Sequence, residues 1–212
     1  SVNFPDTLII QGKYQFRPLF PFSPGSDVAG IVEEVGENVE HFTVGDAIVG
    51  FITFGGFAEK AIVKAKDCFP KPKGMSMVSA SAFLLAYGTS YHALKDRANL
   101  QKGETILILG ASGGVGLTAL EISKLMGATV IAAASSEEKL ALCKEFGADE
   151  VINYTEESLK ERVKELTMGQ GVDVIYDPVG GHFSELALRA IAWKGRHLVV
   201  GFANGEIPKI PI

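Results

Sequence analysis

Two textures of hydrophobic patterning divide the chain. From Met75 onward, short unbroken apolar runs alternate with longer stretches of helical periodicity. The runs Thr105–Leu109, Thr129–Ala133, Val151–Asn153, Val172–Tyr176 and Arg196–Val200 read as strands. The stretches Val115–Met126, Ser136–Phe146, Glu156–Leu166 and Phe183–Ala192 read as helices. Continuous apolar strands separated by helices of this length predict βαβ units and a parallel sheet covered on both faces. Gly127 and Gly147 stand where helices take a left-handed C-terminal cap. Five strands are expected, against six in a complete doubly wound dinucleotide fold. The segment "SMVSASAFLLAYGTSYHALKDRANL" reads as helical pieces broken near Gly88.

The first 70 residues are different. "DVAGIVEEVG", "GDAIVGFITF" and "GGFAEKAIV" alternate or run apolar between turn residues and read as short strands. Gly36-Glu37-Asn38 and Gly45-Asp46 supply turn chemistry. No long amphipathic helix fits this region. A partly closed β-barrel is the expected architecture. The chain is therefore divided into residues 1–87, an all-β unit, and residues 88–212, a doubly wound α/β unit.

Composition narrows the class. The 212 residues are 47% apolar with a formal net charge of −5, which suits one or two packed cores and not a disordered chain. Charges of both signs are interspersed, which argues against a nucleic-acid protein. There is neither a membrane-length apolar run nor a signal-peptide pattern, so cytoplasmic residence without a membrane partner is expected. The two cysteines form no metal or redox spacing. Cys143, on a helical pattern, reads as a small buried apolar side chain, and Cys68 lies at the end of the β-rich region. Ser1 is not a start methionine and the chain stops at the Pro-bounded "EIPKIPI". The expectation is that it is truncated at both ends, with a sixth strand missing.

The chemistry concentrates in "LILGASGGVGLT". Gly110, Gly113 and Gly116 follow an apolar strand and open a helix. The first glycine serves a tight turn, the second lets backbone approach a pyrophosphate, and the third lets helix and strand pack closely. The free N–H groups and positive end of the helix then face the phosphates. No GK[ST] follows, so a P-loop is excluded. A turn serving packing alone is the competing reading of the glycines. NAD sites place an acid at the end of the second strand. Here that strand ends Ala133-Ala134-Ser135, and Ser136 and Lys139 follow, a set that suits a 2′-phosphate and hence NADPH. Ser135 with Glu138 also reads as a capping box, and Lys139 as a solvated helix residue. Glu137 and Glu138 stand close enough in sequence to reach a ribose.

The order of a Gly/Pro-rich β unit, a connecting helix and a dinucleotide unit carries specific words: "SVNFPD", "GSDVAGIVEEVG", "VGDAIVGF", "AFLLAYGTSYHAL", "GASGGVG", "GADEVINY" and "VDVIYDPVGG". In this the whole chain resembles the medium-chain dehydrogenase/reductase superfamily, and within it the zinc-free NADPH:quinone oxidoreductases (zeta-crystallin-like). The resemblance implies a GroES-like, partly open β-barrel followed by a Rossmann domain. Zinc members of the superfamily carry a Cys near the position of Asn3, a His-Glu pair where this chain has Ser26-Asp27, and a further Cys before the dinucleotide domain. This chain has none of these, and its histidines (41, 92, 182 and 197) are scattered, so no metal is expected.

Without a Lewis acid, reducing an electrophilic acceptor is easier than oxidising an alcohol, so the implied substrate is a quinone or conjugated enone. By motif, the resemblance implies substrate-side roles for Asn3 and Tyr14, with Asp6 mainly structural and a surface aromatic as the alternative for Tyr14. It implies cofactor contacts for Thr89, Gly110, Gly113, Gly114, Val115, Gly116, Ser135, Lys139 and Tyr154. Gly180, Gly201 and Phe202, in "DPVGG" and "VGFANG", are expected at the nicotinamide end, and Asp177 at a strand-end turn. Two alternatives stay open: an enoyl-thioester reductase, for which Lys13 and Arg17 are candidate basic contacts, and a non-catalytic NADPH-binding protein of crystallin or RNA-binding type. The resemblance also implies a homodimer for the full-length protein, formed through an edge strand that this chain is expected to lack.

Overall fold

The computed structural model describes residues 1–210, so the final two positions of the "EIPKIPI" stretch lie outside the described residues. The chain forms two compact units, Ser1–Gly88 and a second beginning at Thr89.

The first unit opens on a helix that the sequence reading did not anticipate, α1 (Phe4–Ile10). Pro5 sits in its first turn. Buried Asp6 accepts from the Asn3 N–H at 2.8 Å through Oδ2 and from the Gly25 N–H at 2.9 Å through Oδ1. The carboxylate satisfies the N–H of the cap residue at the helix start and ties α1 to the Gly25 backbone in a later loop. Strands β1 (Asp27–Ile31), β2 (Ala47–Phe51) and β3 (Cys68–Pro70) form an antiparallel sheet in the order β1-β2-β3. The third strand is not the expected "GGFAEKAIV", which stays irregular; Phe69 pairs with Val49 instead. Gly56 in that segment packs against the Gly25 backbone, and its N–H donates to the Gly25 carbonyl at 3.0 Å. A loop-to-loop contact has taken the place of a strand ladder. Helix α2 (Met77–Ser81) starts at the Ser76 cap, and α3 (Leu84–Tyr91) follows. The expected break at Gly88 does not occur. The backbone stays α-helical to Tyr91 and continues as π-helical turns over His92–Arg97.

The second unit is a five-stranded parallel sheet: β4 (Thr105–Leu109), β5 (Thr129–Ala134), β6 (Glu150–Asn153), β7 (Val172–Asp177) and β8 (Ile191–Val199), in the order β6-β5-β4-β7-β8. The connecting helices are α4 (Gly114–Leu125), α5 (Glu137–Glu145), α6 (Leu159–Leu166) and α7 (His182–Leu188). Leu107, Leu109, Ile131, Ala133, Ile152 and Ile175 are buried together with Leu159, Val163 and Ala187. Gly127 (φ +83°) and Gly147 (φ +98°) take the left-handed cap expected of them.

Three boundaries differ from expectation. α5 is capped by Ser136, not Ser135: Ser136 Oγ accepts from the Lys139 N–H at 3.4 Å, which leaves Ser135 outside the helix. α6 begins only at Leu159, because Ser158 caps it and residues 156–157 turn back on the Asn153 carbonyl. α7 ends at Leu188, and Ile191-Ala192 already belong to β8, whose pairing with β7 is irregular between Val172 and Val174.

Candidate functional site

Going outward from β4, the chain proceeds to β5 and β6 on one side, then returns to β7 and β8 on the other. The strand order thus reverses at β4. In an open parallel sheet the crevice for a ligand lies at the carboxyl ends of the strands beside that reversal. The Gly110–Gly116 turn leaves β4 at this point.

The glycines of the turn divide the labour by burial. Gly110 holds φ +56°, and the Gly113 N–H closes the turn on its carbonyl at 3.0 Å. Gly113 is the N-cap of α4 and Gly114 its first residue; both are exposed, and a Cβ on Gly114 would meet nothing within 4 Å. Gly116 is buried, and a Cβ there would lie 2.5 Å from the Gly110 oxygen and 2.7 Å from the Ala111 oxygen. Gly116 therefore permits close packing, and Gly113 and Gly114 leave bare backbone at the positive end of a 12-residue helix. Val115, half-buried, binds the turn inward: its carbonyl accepts from buried Ser90 Oγ at 3.0 Å.

Ser90 is the centre of a polar cluster that the sequence reading missed, having weighted its half-buried neighbour Thr89 in α3. Its hydroxyl lies 2.8 Å from Thr118 Oγ1 and 2.8 Å from Tyr176 OH, and both Ser90 and Tyr176 are fully buried. Burial pushes the Tyr176 phenol up to about 12, against a smaller opposing effect of the Ser90 bond. The cluster pins the start of α4 to the residue that precedes Asp177.

The other expected cofactor residues sit at the same carboxyl edge. Ser135 follows β5, and Lys139 Nζ donates to Ser135 Oγ at 2.8 Å from the exposed first turn of α5. Tyr154 follows β6, its N–H on the Ala134 carbonyl at 3.2 Å and its ring 4.5 Å from that of Phe183. Gly180 follows β7 at φ +76°, and Gly201 and Phe202 follow β8. These two loops lie against each other: the Ala203 N–H donates to the Pro178 carbonyl at 3.0 Å and that of Asn204 to Val179 at 2.8 Å. A Cβ on Gly180 would lie 3.2 Å from Phe202 Cα.

Asp177 holds the base of those loops as a turn residue, as expected. Its buried carboxylate accepts from the Val179 and Gly180 N–H groups at 2.9 and 2.8 Å, from Ser184 Oγ at 2.5 Å and from His197 Nε2 at 3.0 Å. Burial opposes ionisation, but the His197 bond, aided by those of Gly180, Ser184 and Val179, outweighs it and holds the carboxyl below its ordinary range. His197 thus serves this carboxylate, and His92 Nδ1 lies 2.8 Å from Asp96, four positions further along the chain.

In the first unit, Asn3 is half-buried before α1. Its Nδ2 donates to Ser1 Oγ at 2.7 Å and Asp27 Oδ1 at 3.3 Å. Asp27 is buried, and Ser26 Oγ donates to the Thr53 carbonyl at 3.2 Å. Tyr14 is half-buried in the loop after α1.

Comparison with known proteins agrees with this architecture. Residues 1–73 match the model of the alcohol dehydrogenase GroES-like domain, and residues 114–212 that of the zinc-binding dehydrogenase. A quinone oxidoreductase-like protein 2 homolog of Nematostella vectensis is 43% identical over the whole chain, which spans 58% of that relative. The solved structure of Escherichia coli quinone oxidoreductase complexed with NADPH superposes with a TM-score of 0.93 at 34% identity, covering 99% of this chain and 64% of that one. The chain belongs to the quinone oxidoreductase family of the medium-chain dehydrogenases and reductases. A more distant relative is the enoyl reductase CurK, with a TM-score of 0.86 at 29% identity over 92% of this chain and 61% of that one. In this quinone oxidoreductase family member the GroES-like part is the unit with the three-stranded sheet, and the Rossmann part is the parallel sheet. No helix among the described residues is long and apolar enough to cross a membrane.

Proposed function

We propose that this protein is an NADPH-dependent oxidoreductase that reduces a quinone or conjugated enone. The observation that carries the reading is the end of β5. It closes on alanines without a carboxylate, and the Ser135 hydroxyl and Lys139 ammonium meet there, 2.8 Å apart, at the start of a capped helix. A hydroxyl and a cation at this point suit a 2′-phosphate, as a carboxylate would suit the two ribose hydroxyls of NADH. The rest of the edge fits the same dinucleotide. Gly113 and Gly114 present backbone without side chains to a pyrophosphate at the start of α4, and Tyr154 stands on the adenosine side. Gly180, Gly201 and Phe202 line the far end. Bound there, the nicotinamide supplies a hydride. The chain's own part is to orient the cofactor and acceptor and exclude water. Asn3 and Tyr14 serve the acceptor, and the Tyr14 hydroxyl is the donor to its oxygen.

Fluorescence titration with NADPH and NADH tests the cofactor; equal or tighter NADH binding overturns it. Oxidation of NADPH with 1,4-quinones beside crotonyl-CoA tests the acceptor. The likeness to an enoyl reductase supports a second reading, and preference for the thioester would establish it in place of the first. Tight NADPH binding with no turnover on any acceptor would point to a non-catalytic binder.

A further inference from the structure

Asn153 closes β6 and is 3% exposed. Its side-chain amide is oriented by its partners. Oδ1 accepts from the Thr155 N–H at 3.2 Å and from Thr155 Oγ1 at 2.7 Å, so Nδ2 is the end turned elsewhere, and it donates to Glu137 Oε1 at 3.2 Å. The Asn153 N–H is itself fixed on Glu157 Oε1 at 3.1 Å. Glu137 is the first residue of α5, two positions after Ser135, and Asn153 pairs in register with Ala134, just before Ser135. The residue that fastens Glu137 is therefore the strand neighbour of the proposed phosphate pair. Glu138, also in the first turn of α5, is exposed.

A carboxylate free to turn toward that pair would neutralise Lys139, compete for the ribose hydroxyls and repel a 2′-phosphate. We propose that Asn153 is a positioning residue for cofactor choice: it holds the Glu137 carboxylate against the end of β6 and so keeps Ser135 and Lys139 open to the 2′-phosphate. The assignment rests on the NADPH reading above and adds to it a residue outside the phosphate pair. Asn153 touches no cofactor atom in this scheme; it acts through Glu137.

The test is fluorescence titration of the full chain with NADPH and with NADH, which reads the ratio of the two dissociation constants without turnover. Asn153→Ala removes the tether. Glu137→Asp is one methylene shorter and breaks the same bond from the exposed side, so it leaves the buried residue intact if Asn153→Ala fails to fold. Each is expected to lower the preference for NADPH by about fivefold or more, a loss within the range of coupled pairs. Asn153→Ala combined with Glu137→Gln is expected to return to within about twofold of the parent, since the freed side chain carries no charge. An unchanged ratio in both single variants overturns the assignment. So does a ratio that falls equally with Glu137→Gln in the background, which would make the role of Asn153 structural. A parent chain with no preference for NADPH overturns the cofactor reading itself and the assignment with it.

Discussion

Asp177 shows how much one side chain organises here. Its carboxylate gathers two backbone N–H groups, a serine hydroxyl and the His197 ring, and these outweigh burial to favour the ionised form. The sign of the pH effect follows. A carboxyl depressed by folding contributes stability above its unfolded value, about 4, and that contribution is lost as pH falls through the folded value. Asp177→Asn should therefore be destabilised by about 1–3 kcal/mol near neutrality, the cost of leaving buried donors mispaired. The gap to the parent should narrow as pH drops below about 4, where the unfolded parent takes up its proton first, and close as the depressed carboxyl of the folded parent follows. Thermal midpoints of both proteins from pH 7 to 3 check this; a gap that stays constant would mean that charge is not what the donors recognise. Ser90→Ala tests the neighbouring cluster. It removes the hydroxyl partner of the fully buried Tyr176 phenol and should cost about 1–3 kcal/mol in urea unfolding. Neither arrangement was legible along the chain. Asp177 read correctly as a strand-end turn. Its partner His197, however, arrives through the parallel pairing of β7 with β8, Ile175 opposite His197, a register that no local pattern states. Ser90 looks like one more polar residue of a helix, and only the fold brings Tyr176 to it.

At the scale of elements, what the sequence announced depended on whether the signal was local. The unit built on β4, α4 and β5 was legible because each of its parts is self-declaring: a five-residue strand with four apolar residues in a row, a glycine turn, a 12-residue helix and a glycine cap. α1 was overlooked because "FPDTLII" is rich in residues that favour strands. Its start signal was nonetheless present, an Asn followed by a Pro and then an Asp three positions on. β3 could not have been found this way; three residues become a strand only because β2 offers its free edge. The glycine turn gives an element-scale prediction that separates packing from binding. Gly116→Ala drives a methyl into the Gly110 and Ala111 carbonyls and should cost about 1–3 kcal/mol or more by overpacking, seen as a lower urea midpoint. Gly114→Ala meets open space at the first helical position and should leave stability equal or slightly raised. If the helix start binds a pyrophosphate, the same methyl stands in its approach, and NADPH affinity should fall about tenfold, about 1.4 kcal/mol. Loss of stability with unchanged binding in Gly114→Ala would reverse both assignments.

The parallel sheet has two ends with different work, and the whole of the second unit is arranged by that polarity. At the amino end, Arg196 grips Glu104 with both terminal nitrogens at 2.8 and 2.6 Å and donates to the Ala98 and Asp173 carbonyls, while Asp173 accepts from the Thr105 N–H. The Arg196 bond, against some burial, holds the Glu104 carboxyl below its ordinary range. This end is closed by side chains that answer one another. At the carboxyl end the start of α4 instead leaves exposed backbone without side chains at Gly113 and Gly114, and Lys139 reaches Ser135 from the exposed first turn of α5. Binding confined to one end must then be read by the amides of that end. Hydrogen exchange with and without saturating NADPH should slow at residues 113–117, 135–139 and 180–181, as ligand linkage stabilises those segments by about 2.7 kcal/mol at 100 times Kd. Amides of residues 104–106 and 196, at the opposite end, should change only as far as global unfolding does. Protection that appears equally at both ends would mean that NADPH merely stabilises the fold. Protection at the amino end alone would move the nucleotide to the wrong side of the sheet, and with it every cofactor residue assigned to the glycine turn.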